Sequence, residues 1–208
     1  MLEFISNAQN IATLENCETD NPALRNMRDR ALILTLADTG LRVEEICKLR
    51  CGDIDSERSR VILKGQRNKQ AIVRFSTRAL NAISDYLALR QPLDLKTGQS
   101  LPSVPLFARH DKGTGKKIKP ITTTTIRRIV SERVGQILGA EAAVTITPHT
   151  FMHYFVTTIL RATGNLKLAQ VLARHSNIQV TQKYAHIGDD ELDNGYYEIF
   201  GERNRHDG

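Results

Sequence analysis

Apolar and polar positions follow helical spacing along most of the chain. Asn21-Pro22 supplies a cap and a first-turn proline for a helix through about Ala37, and Gly40 ends it. Its expected core residues are Leu32, Ile33, Leu36 and Ala37. Leu80, Ile83 and Leu87 predict an amphipathic helix over Ser76–Arg90. Further helices are predicted over Val43–Leu49, Thr122–Leu138, Pro148–Thr163, Leu166–Arg174, a short segment from Ser176 or Asn177 to Tyr184, and Asp189–Phe200.

Strand signals are few and local. Arg60–Lys64 and Gln70–Phe75 cluster apolar residues on either side of G-Q-R-N, which predicts a β-hairpin. Gln91–Pro105 is predicted to be a loop, and Leu106–Phe107 a short buried strand. The expected fold class is therefore mainly α with a small antiparallel β-sheet or hairpin, an α+β fold.

Composition adds limits rather than a function. The 208 residues are 40% apolar and 25% charged, as in ordinary globular proteins. No run approaches the ~20 apolar residues of a membrane span, and the N-terminus lacks a signal pattern, so we expect a cytoplasmic protein. The net charge of +6 fits a polyanionic partner, although charge alone is weak evidence. Three scattered cysteines, Cys17, Cys47 and Cys51, indicate reduced thiols.

The stretch from Thr147 to His186 holds the most informative polar residues. Thr147 can cap a helix that starts at Pro148, which places His149 in a first turn where free N–H groups favour an anion. His175 follows the next helix, and Tyr184 follows nine residues later. His149 and His153 have metal-ligand spacing, but no third ligand has clear spacing, so we expect no metal.

These residues carry a family resemblance. The chain contains T-G-L-R-V-E-E-I from Thr39, V-I-L-K-G-Q-R-N-K-Q-A-I-V from Val61, H-T-F-M-H-Y-F from His149 and A-R-H-S from Ala173, followed by Tyr184. In this order and spacing they resemble the boxes of the tyrosine recombinase (phage integrase) family, close to its Xer-type subgroup. The resemblance covers roughly Asn21 to Ile187, and it implies the tyrosine recombinase catalytic-domain fold.

The resemblance implies a division of labour on DNA. Tyr184 is expected to attack phosphorus and form a 3′-phosphotyrosyl intermediate, His149 to assist removal of its proton, and His175 to donate a hydrogen bond to the phosphate. A tyrosine hydroxyl has a pKa of about 10, so it needs a base or cations to attack at neutral pH. No cofactor, metal or ATP is implied.

Two cations complete the expected catalytic set. Arg42 starts a helix, where the dipole disfavours a cation, so it is either a solvated arginine or, as the resemblance implies, a phosphate ligand. Glu45 can buttress that guanidinium or be a plain surface residue. By resemblance Lys64 protonates the leaving 5′ oxygen, with Lys69 as the fallback.

One position departs from the family pattern. Met152 stands where the family has its second arginine, and a methionine can neither donate to phosphate nor carry charge. Losing a transition-state arginine can cost ~10³-fold. Arg174, where the family prefers glycine, is a hypothetical substitute; a simply solvated Arg174 is the alternative.

Three functions follow in order of support. The first is site-specific DNA recombination or integration by strand cleavage and rejoining, impaired to an unknown degree by Met152. The second is a non-catalytic DNA-binding relative, and the third a type IB topoisomerase, whose box spacing fits less well. The expected partners are double-stranded DNA and copies of the chain in a tetrameric synapse, with no membrane and no small-molecule substrate.

The predicted organisation is a lead-in over residues 1–20, a catalytic domain over 21–187 and a C-terminal helix and tail over 188–208. In the family such a terminal helix docks on a neighbouring protomer; packing on its own core is equally open. The His110–Lys119 loop is interpreted as a flexible phosphate-contacting loop, with a solvated linker as the alternative. The helix that carries Arg127, Arg128 and Arg133 lies in the region where the family has a major-groove helix. An N-terminal arm domain is missing, so the chain looks like a fragment or a single-domain form.

Overall fold

A long buried helix forms the centre of the fold. The computed structural model describes residues 22–64, 70–110 and 118–184, with only the backbone of Lys64. Helix α1 (Pro22–Thr39) buries apolar residues around most of its circumference, including all four predicted core residues. A helix that is apolar all round has to be covered on several sides, and two later helices, Thr77–Leu95 (α3) and Pro148–Thr163 (α6), pack against α1.

The elements that follow α1 are a short helix and a small sheet. Helix α2 (Val43–Lys48) precedes a 3-10 turn at Cys51–Asp53. Strands β1 (Ile54–Asp55), β2 (Arg60–Lys64) and β3 (Gln70–Arg74) then form an antiparallel sheet in the order β1-β2-β3. The register pairs Val61 with Val73 on the buried face and Ile62 with Ile72 on the exposed face. The predicted hairpin and the α+β fold class are confirmed.

Helix α3 (Thr77–Leu95) is longer than its sequence pattern predicts. Ser76 caps it by accepting a hydrogen bond from the Ala79 N–H. The helix continues through Pro92, so the predicted loop starting at Gln91 is wrong. A buried ion pair between Arg90 Nε and Asp94 Oδ2 (2.9 Å) spans the proline and holds this last turn in helical geometry.

The segment after α3 has little regular secondary structure. After a 3-10 turn at Leu101–Ser103, Leu106 and Phe107 are buried as expected but form no strand. Isolated bridges join Arg50 to Pro105 and Ala108 to Pro120 instead. The buried guanidinium of Arg90 donates to the Leu106 carbonyl (2.9 Å), which fixes this segment against α3.

The remaining described elements are helical. They are α4 (Thr123–Leu138), α5 (Ala140–Thr145), α6 (Pro148–Thr163), α7 (Leu166–Leu172) and α8 (Ile178–Gln182). Gly164 ends α6 with φ +60°, and Asn165 caps α7 by accepting from the Leu168 N–H, as the sequence predicts. Helix α5 was not predicted. None of the helices in the described ranges is long and apolar enough to cross a membrane.

The described residues form two separate apolar clusters. The large one joins α1, the sheet, α3 and α4. A small one, here called the α6–α7 cluster, contains Met152, Val156, Ala169 and Ala173, with Tyr184 packed against it. Outside the described residues lie the predicted lead-in over residues 1–20, residues 111–117 of the basic loop, and the predicted C-terminal helix and tail.

Candidate active site

A cleft of about 890 Å³ lies where α2, α4 and the first turn of α6 meet. Arg42, His149 and His175 all line it, although they are far apart in the sequence. Met152 and Arg127 line it as well. The cleft therefore brings together three of the five residues that the sequence nominated for catalysis.

Arg42 is held at the start of α2 by the carboxylate of Glu45. The Arg42 backbone N–H donates to Glu45 Oε2 (2.7 Å), and Arg42 Nη1 lies 3.4 Å from Glu45 Oε1. Half of the Arg42 side chain is exposed, so its other donors remain available to an anion in the cleft. Glu45 is thus a buttress, and its interpretation as a plain surface glutamate is wrong.

His149 lies in the first turn of α6, as predicted, and is exposed to the cleft. Its local capping differs from the prediction. Thr147 occupies the cap position, but its hydroxyl accepts no helix N–H; the Thr150 hydroxyl accepts from the Thr147 N–H (3.0 Å). The free N–H groups of this turn remain oriented toward the cleft end of the helix.

His175 is fixed on three sides. Its N–H donates to the Gln170 carbonyl (3.1 Å), and its own carbonyl accepts from Gln170 Nε2 (3.1 Å). His175 Nδ1 lies 3.0 Å from the Thr181 hydroxyl, which leaves Nε2 for a ligand. Burial lowers the pKa of His175, and the positive charges of Arg42 and Arg174 lower it further.

Tyr184 follows α8 and contacts His153, which the sequence analysis considered only as a metal ligand. The Tyr184 hydroxyl lies 3.4 Å from His153 Nε2, and the two rings meet edge to face at 4.7 Å. His153 in turn meets the ring of His149 at 4.5 Å. Tyr184, His153 and His149 therefore form a continuous row. Of these three residues, His149 alone lines the cleft.

The electrostatics of this row favour a neutral tyrosine beside a neutral histidine, and so oppose ionisation of Tyr184 in this arrangement. Burial raises the pKa of the Tyr184 hydroxyl. Burial and the neighbouring His149 lower the pKa of His153. His153 is therefore neutral at pH 7 and can accept a hydrogen bond from the phenol.

Met152 lies in the wall of the cleft and is 7% exposed. Its side chain belongs to the α6–α7 cluster with Val156, Ala169 and Ala173. The position that carries an arginine in the family pattern is thus apolar and packed in this chain.

Arg174 is largely buried and donates hydrogen bonds through Nη1 and Nη2, which excludes a solvated arginine, while its buried Nε has no partner among the described residues. Its Nη2 donates to the Gly40 carbonyl and to Glu45 Oε2, both at 2.8 Å. Its side chain is 11% exposed, and it is not among the described residues that line the cleft.

The hairpin lysines are placed only in part. The backbone of Lys64 ends β2 opposite Gln70, and its side chain lies outside the described part of the chain, as does Lys69. Within the described ranges, no group of three or more side chains forms a metal site.

Sequence reasoning missed three residues that shape this site. Gln170 and Thr181 fix His175, and His153 contacts the nucleophile candidate. Gln170 and Thr181 carry no motif of their own, since their role depends on how α7 and α8 fold back. For His153 the sequence did offer a signal, because His149 and His153 are spaced one helical turn apart and so lie on the same face of the helix.

Comparison with known proteins identifies the class. The chain matches the Phage integrase family over residues 3–191. It is 32% identical over 160 residues to tyrosine recombinase XerC of Thermodesulfovibrio yellowstonii, covering 77% of this chain and 50% of that protein. It is 34% identical over 171 residues to XerC of Bacillus subtilis, covering 82% and 53%. The chain spans about half the length of the curated relatives it matches.

Solved structures share the fold. The XerA recombinase matches with a TM-score of 0.69 at 24% identity, over 98% of this chain and 64% of that one. The XerH recombinase, in a post-cleavage complex with its palindromic difH substrate, matches with a TM-score of 0.67 at 19% identity, over 94% and 51%. The expected tyrosine recombinase catalytic-domain fold is confirmed. The chain belongs to the phage integrase family.

Proposed function

We propose that this chain cleaves and rejoins DNA as the catalytic domain of a site-specific tyrosine recombinase, with residues 21–187 forming that domain. The observation that supports it most is the convergence of Arg42, His149 and His175 on one cleft, with the Tyr184 hydroxyl one histidine away. Three donors around one cavity fit the non-bridging oxygens of a phosphodiester.

The proposed reaction is a transesterification. The Tyr184 oxygen attacks phosphorus and forms a 3′-phosphotyrosyl bond, while the bond from phosphorus to the 5′ oxygen breaks. The phenol proton leaves to His149, which lines the cleft, and Lys64 protonates the departing 5′ oxygen. The phosphoester bond is conserved, so the reverse attack by a 5′-hydroxyl rejoins DNA without ATP.

Arg42 and His175 stabilise the charge that develops on the phosphate. Arg42 presents a planar donor fork, and His175 presents Nε2 because Thr181 holds Nδ1. Tyr184 must leave the His153 contact and turn into the cleft for this attack.

A second candidate, a DNA-binding relative without chemistry, rests on a separate observation. Met152 fills the wall of the cleft with an apolar side chain where a further cation is expected. A type IB topoisomerase is the third candidate and predicts relaxation of supercoiled plasmid without site preference. In all three the partner is double-stranded DNA, and we propose a cytoplasmic protein.

The deciding experiment is covalent trapping on a nicked duplex. A binding selection from randomised duplexes first supplies a site. The starting protein is then compared with Tyr184→Phe and Met152→Arg. An adduct that Tyr184→Phe abolishes supports the recombinase; an adduct only in Met152→Arg means an intact but disarmed site. Specific binding with no adduct in either form favours the binding relative.

Assembly is tested separately. We propose that four copies synapse two duplexes, as the recombinase reaction requires two sites. Light scattering with and without the selected duplex measures the stoichiometry. A complex that never holds four copies and two duplexes together, at any concentration, contradicts the synapse.

A further inference from the structure

Arg174 adopts a backbone conformation that its side chain disfavours. Its φ is +56°, in the left-handed region, where a β-carbon crowds the backbone and glycine is at ease. Such conformations persist only where the surrounding structure imposes them, and they concentrate at functional sites. The contacts of its side chain show what holds Arg174 there.

The guanidinium of Arg174 joins three segments next to the cleft. Nη2 donates to the Gly40 carbonyl after α1 and to Glu45 Oε2 on α2, both at 2.8 Å. Nη1 lies 3.5 Å from the Leu172 carbonyl at the end of α7. The side chain is 11% exposed, so this charge is largely removed from water.

Glu45 is therefore shared between two arginines. Glu45 Oε2, which accepts from Arg174, also accepts a hydrogen bond from the Arg42 backbone N–H (2.7 Å). Glu45 Oε1 lies 3.4 Å from Arg42 Nη1. With Arg174 present, the three groups carry a net charge of one positive unit. Without Arg174, the carboxylate would cancel the charge of Arg42 and draw its guanidinium away from the cleft.

We propose that Arg174 is a positioning residue of the phosphate cleft: it neutralises and holds Glu45, so that Arg42 keeps its charge and its donors for the phosphate. This inference rests on the proposed function. It differs from a direct replacement of the missing arginine, because Arg174 acts through Glu45 and touches no phosphate. The lowered pKa of His175, caused in part by the charges of Arg42 and Arg174, agrees with both charges reaching the cleft.

The test is a double-mutant cycle of Arg174→Gly and Glu45→Gln. Glycine fits φ +56° without strain, so the variant removes the side chain and not the fold. We expect Arg174→Gly to slow single-turnover formation of the phosphotyrosyl adduct about 30-fold, which is the size of a lost charge-assisted contact. In the Glu45→Gln background the same change should cost less than about 3-fold, since no carboxylate remains to neutralise.

A second readout needs no chemistry. If Glu45 cancels Arg42, one phosphate contact is lost, and the slope of log K against log salt for the selected duplex falls by about one. Arg174→Gly should show this fall, and the Glu45→Gln double variant should not. Arg161→Ala removes an exposed arginine from the last turn of α6, at the end opposite to the cleft, and serves as the control for net charge.

Two results overturn the proposal. A full-sized effect of Arg174→Gly in the Glu45→Gln background means that Arg174 acts on DNA directly. An unchanged adduct rate together with an unchanged salt slope in Arg174→Gly means that it has no role in the cleft. If no variant forms an adduct, the proposed chemistry fails, while the salt slopes still decide for or against Arg174.

Discussion

At position 152, catalysis and stability favour different side chains. Met152 faces the cleft on one side and packs against Val156, Ala169 and Ala173 on the other. A cation there would face the phosphate, but the apolar cluster would lose a buried partner. Both effects follow from one side chain, so one substitution measures both.

We predict that Met152→Arg raises the single-turnover cleavage rate about 100-fold, the usual value of one transition-state donor. The same change should lower the free energy of unfolding by about 2 kcal/mol, because it opens the α6–α7 cluster. Adduct trapping and urea unfolding measure the two effects. Met152→Leu keeps apolar volume and should change neither; a rate gain in Met152→Leu would refute the charge argument.

His153 and His175 give the stability a pH dependence of known sign. Burial lowers both pKa values below the ordinary 6.5 of histidine. Above pH 6.5 both groups are neutral in the folded and unfolded chains and contribute nothing. As the pH falls through 6.5, the unfolded chain takes up protons that the folded chain refuses, so stability falls.

We therefore expect the free energy of unfolding to decrease between pH 7 and pH 5. The decrease should be smaller in a His153→Gln, His175→Gln double variant, because it lacks these two histidine side chains while the other histidines of the chain are kept. Urea unfolding at each pH measures both curves. Equal slopes for the two proteins would mean that these histidines do not cause the dependence.

At the scale of elements, the turn between α1 and α2 is built for close approach. Gly40 has φ +58°, and a β-carbon on it would lie 2.6 Å from the Phe155 ring of α6. The Gly40 carbonyl also accepts from Arg174. The turn therefore fixes the distance between α1, α6 and the arginine network.

We predict that Gly40→Ala destabilises the protein by about 3 kcal/mol, combining left-handed strain with a clash against the partly buried Phe155 ring. Gly98→Ala is the matched control: its φ is +66°, but its β-carbon meets nothing within 4 Å. That variant should cost only about 1 kcal/mol. Thermal unfolding compares the two, and equal losses would rule out the Phe155 clash.

The elements were predictable where local signals agreed. Helices bounded by a cap and a glycine, such as Thr123–Leu138 and Pro148–Thr163, lie where the pattern predicts. The predicted helix ended at Arg90, five residues before the observed end of α3, and a proline at position 92 ordinarily ends a helix. The buried Arg90–Asp94 ion pair that stabilises the last turn depends on tertiary packing, which the local sequence does not show. Burial of Leu106 and Phe107 was predictable, but their lack of a strand partner was not.

At the scale of the whole molecule, a buried cluster of Arg28, Asp29 and Arg133, here called the charged latch, connects α1 to α4. Asp29 on α1 accepts from Arg28 (2.7 Å) and from Arg133 of α4 (2.7 Å), and all three side chains are largely buried. Arg133 also donates to Asn26. Arg133 lies on the helix in the region of the family's major-groove helix, yet it ties α4 to the core.

We predict that Asp29→Asn lowers the free energy of unfolding by about 3 kcal/mol, because it leaves two buried guanidinium groups without their anion. Glu132→Gln breaks an exposed pair with Arg128 (2.8 Å) and should cost less than about 0.5 kcal/mol. Urea unfolding resolves the difference. A loss below 1 kcal/mol for Asp29→Asn would show that water reaches the latch.

The site was predictable at its motif residues and not beyond them. Arg42, His149 and His175 converge as their boxes imply. The contact between Tyr184 and His153 and the sharing of Glu45 by two arginines depend on how α7 and α8 return to α2, which no local pattern encodes. Long-range polar contacts of this kind are set by tertiary packing.

The separation of the apolar residues into two clusters has an energetic consequence. The segment that ends in Tyr184 is supported by the small α6–α7 cluster, whereas α1 lies inside the large one. Native-state hydrogen exchange should therefore find lower opening free energies for amides of α7 and α8 than for α1. Val156→Ala should accelerate exchange in α7 and α8 more than in α1; exchange of both only through global unfolding would contradict this.

If these helices do open first, the candidate nucleophile belongs to an independent foldon. Moving Tyr184 off His153 and into the cleft then draws on a local equilibrium of a few kcal/mol rather than on the stability of the whole molecule. A bound duplex has only to shift that equilibrium, while the helices that hold Arg42 and His149 stay folded around it.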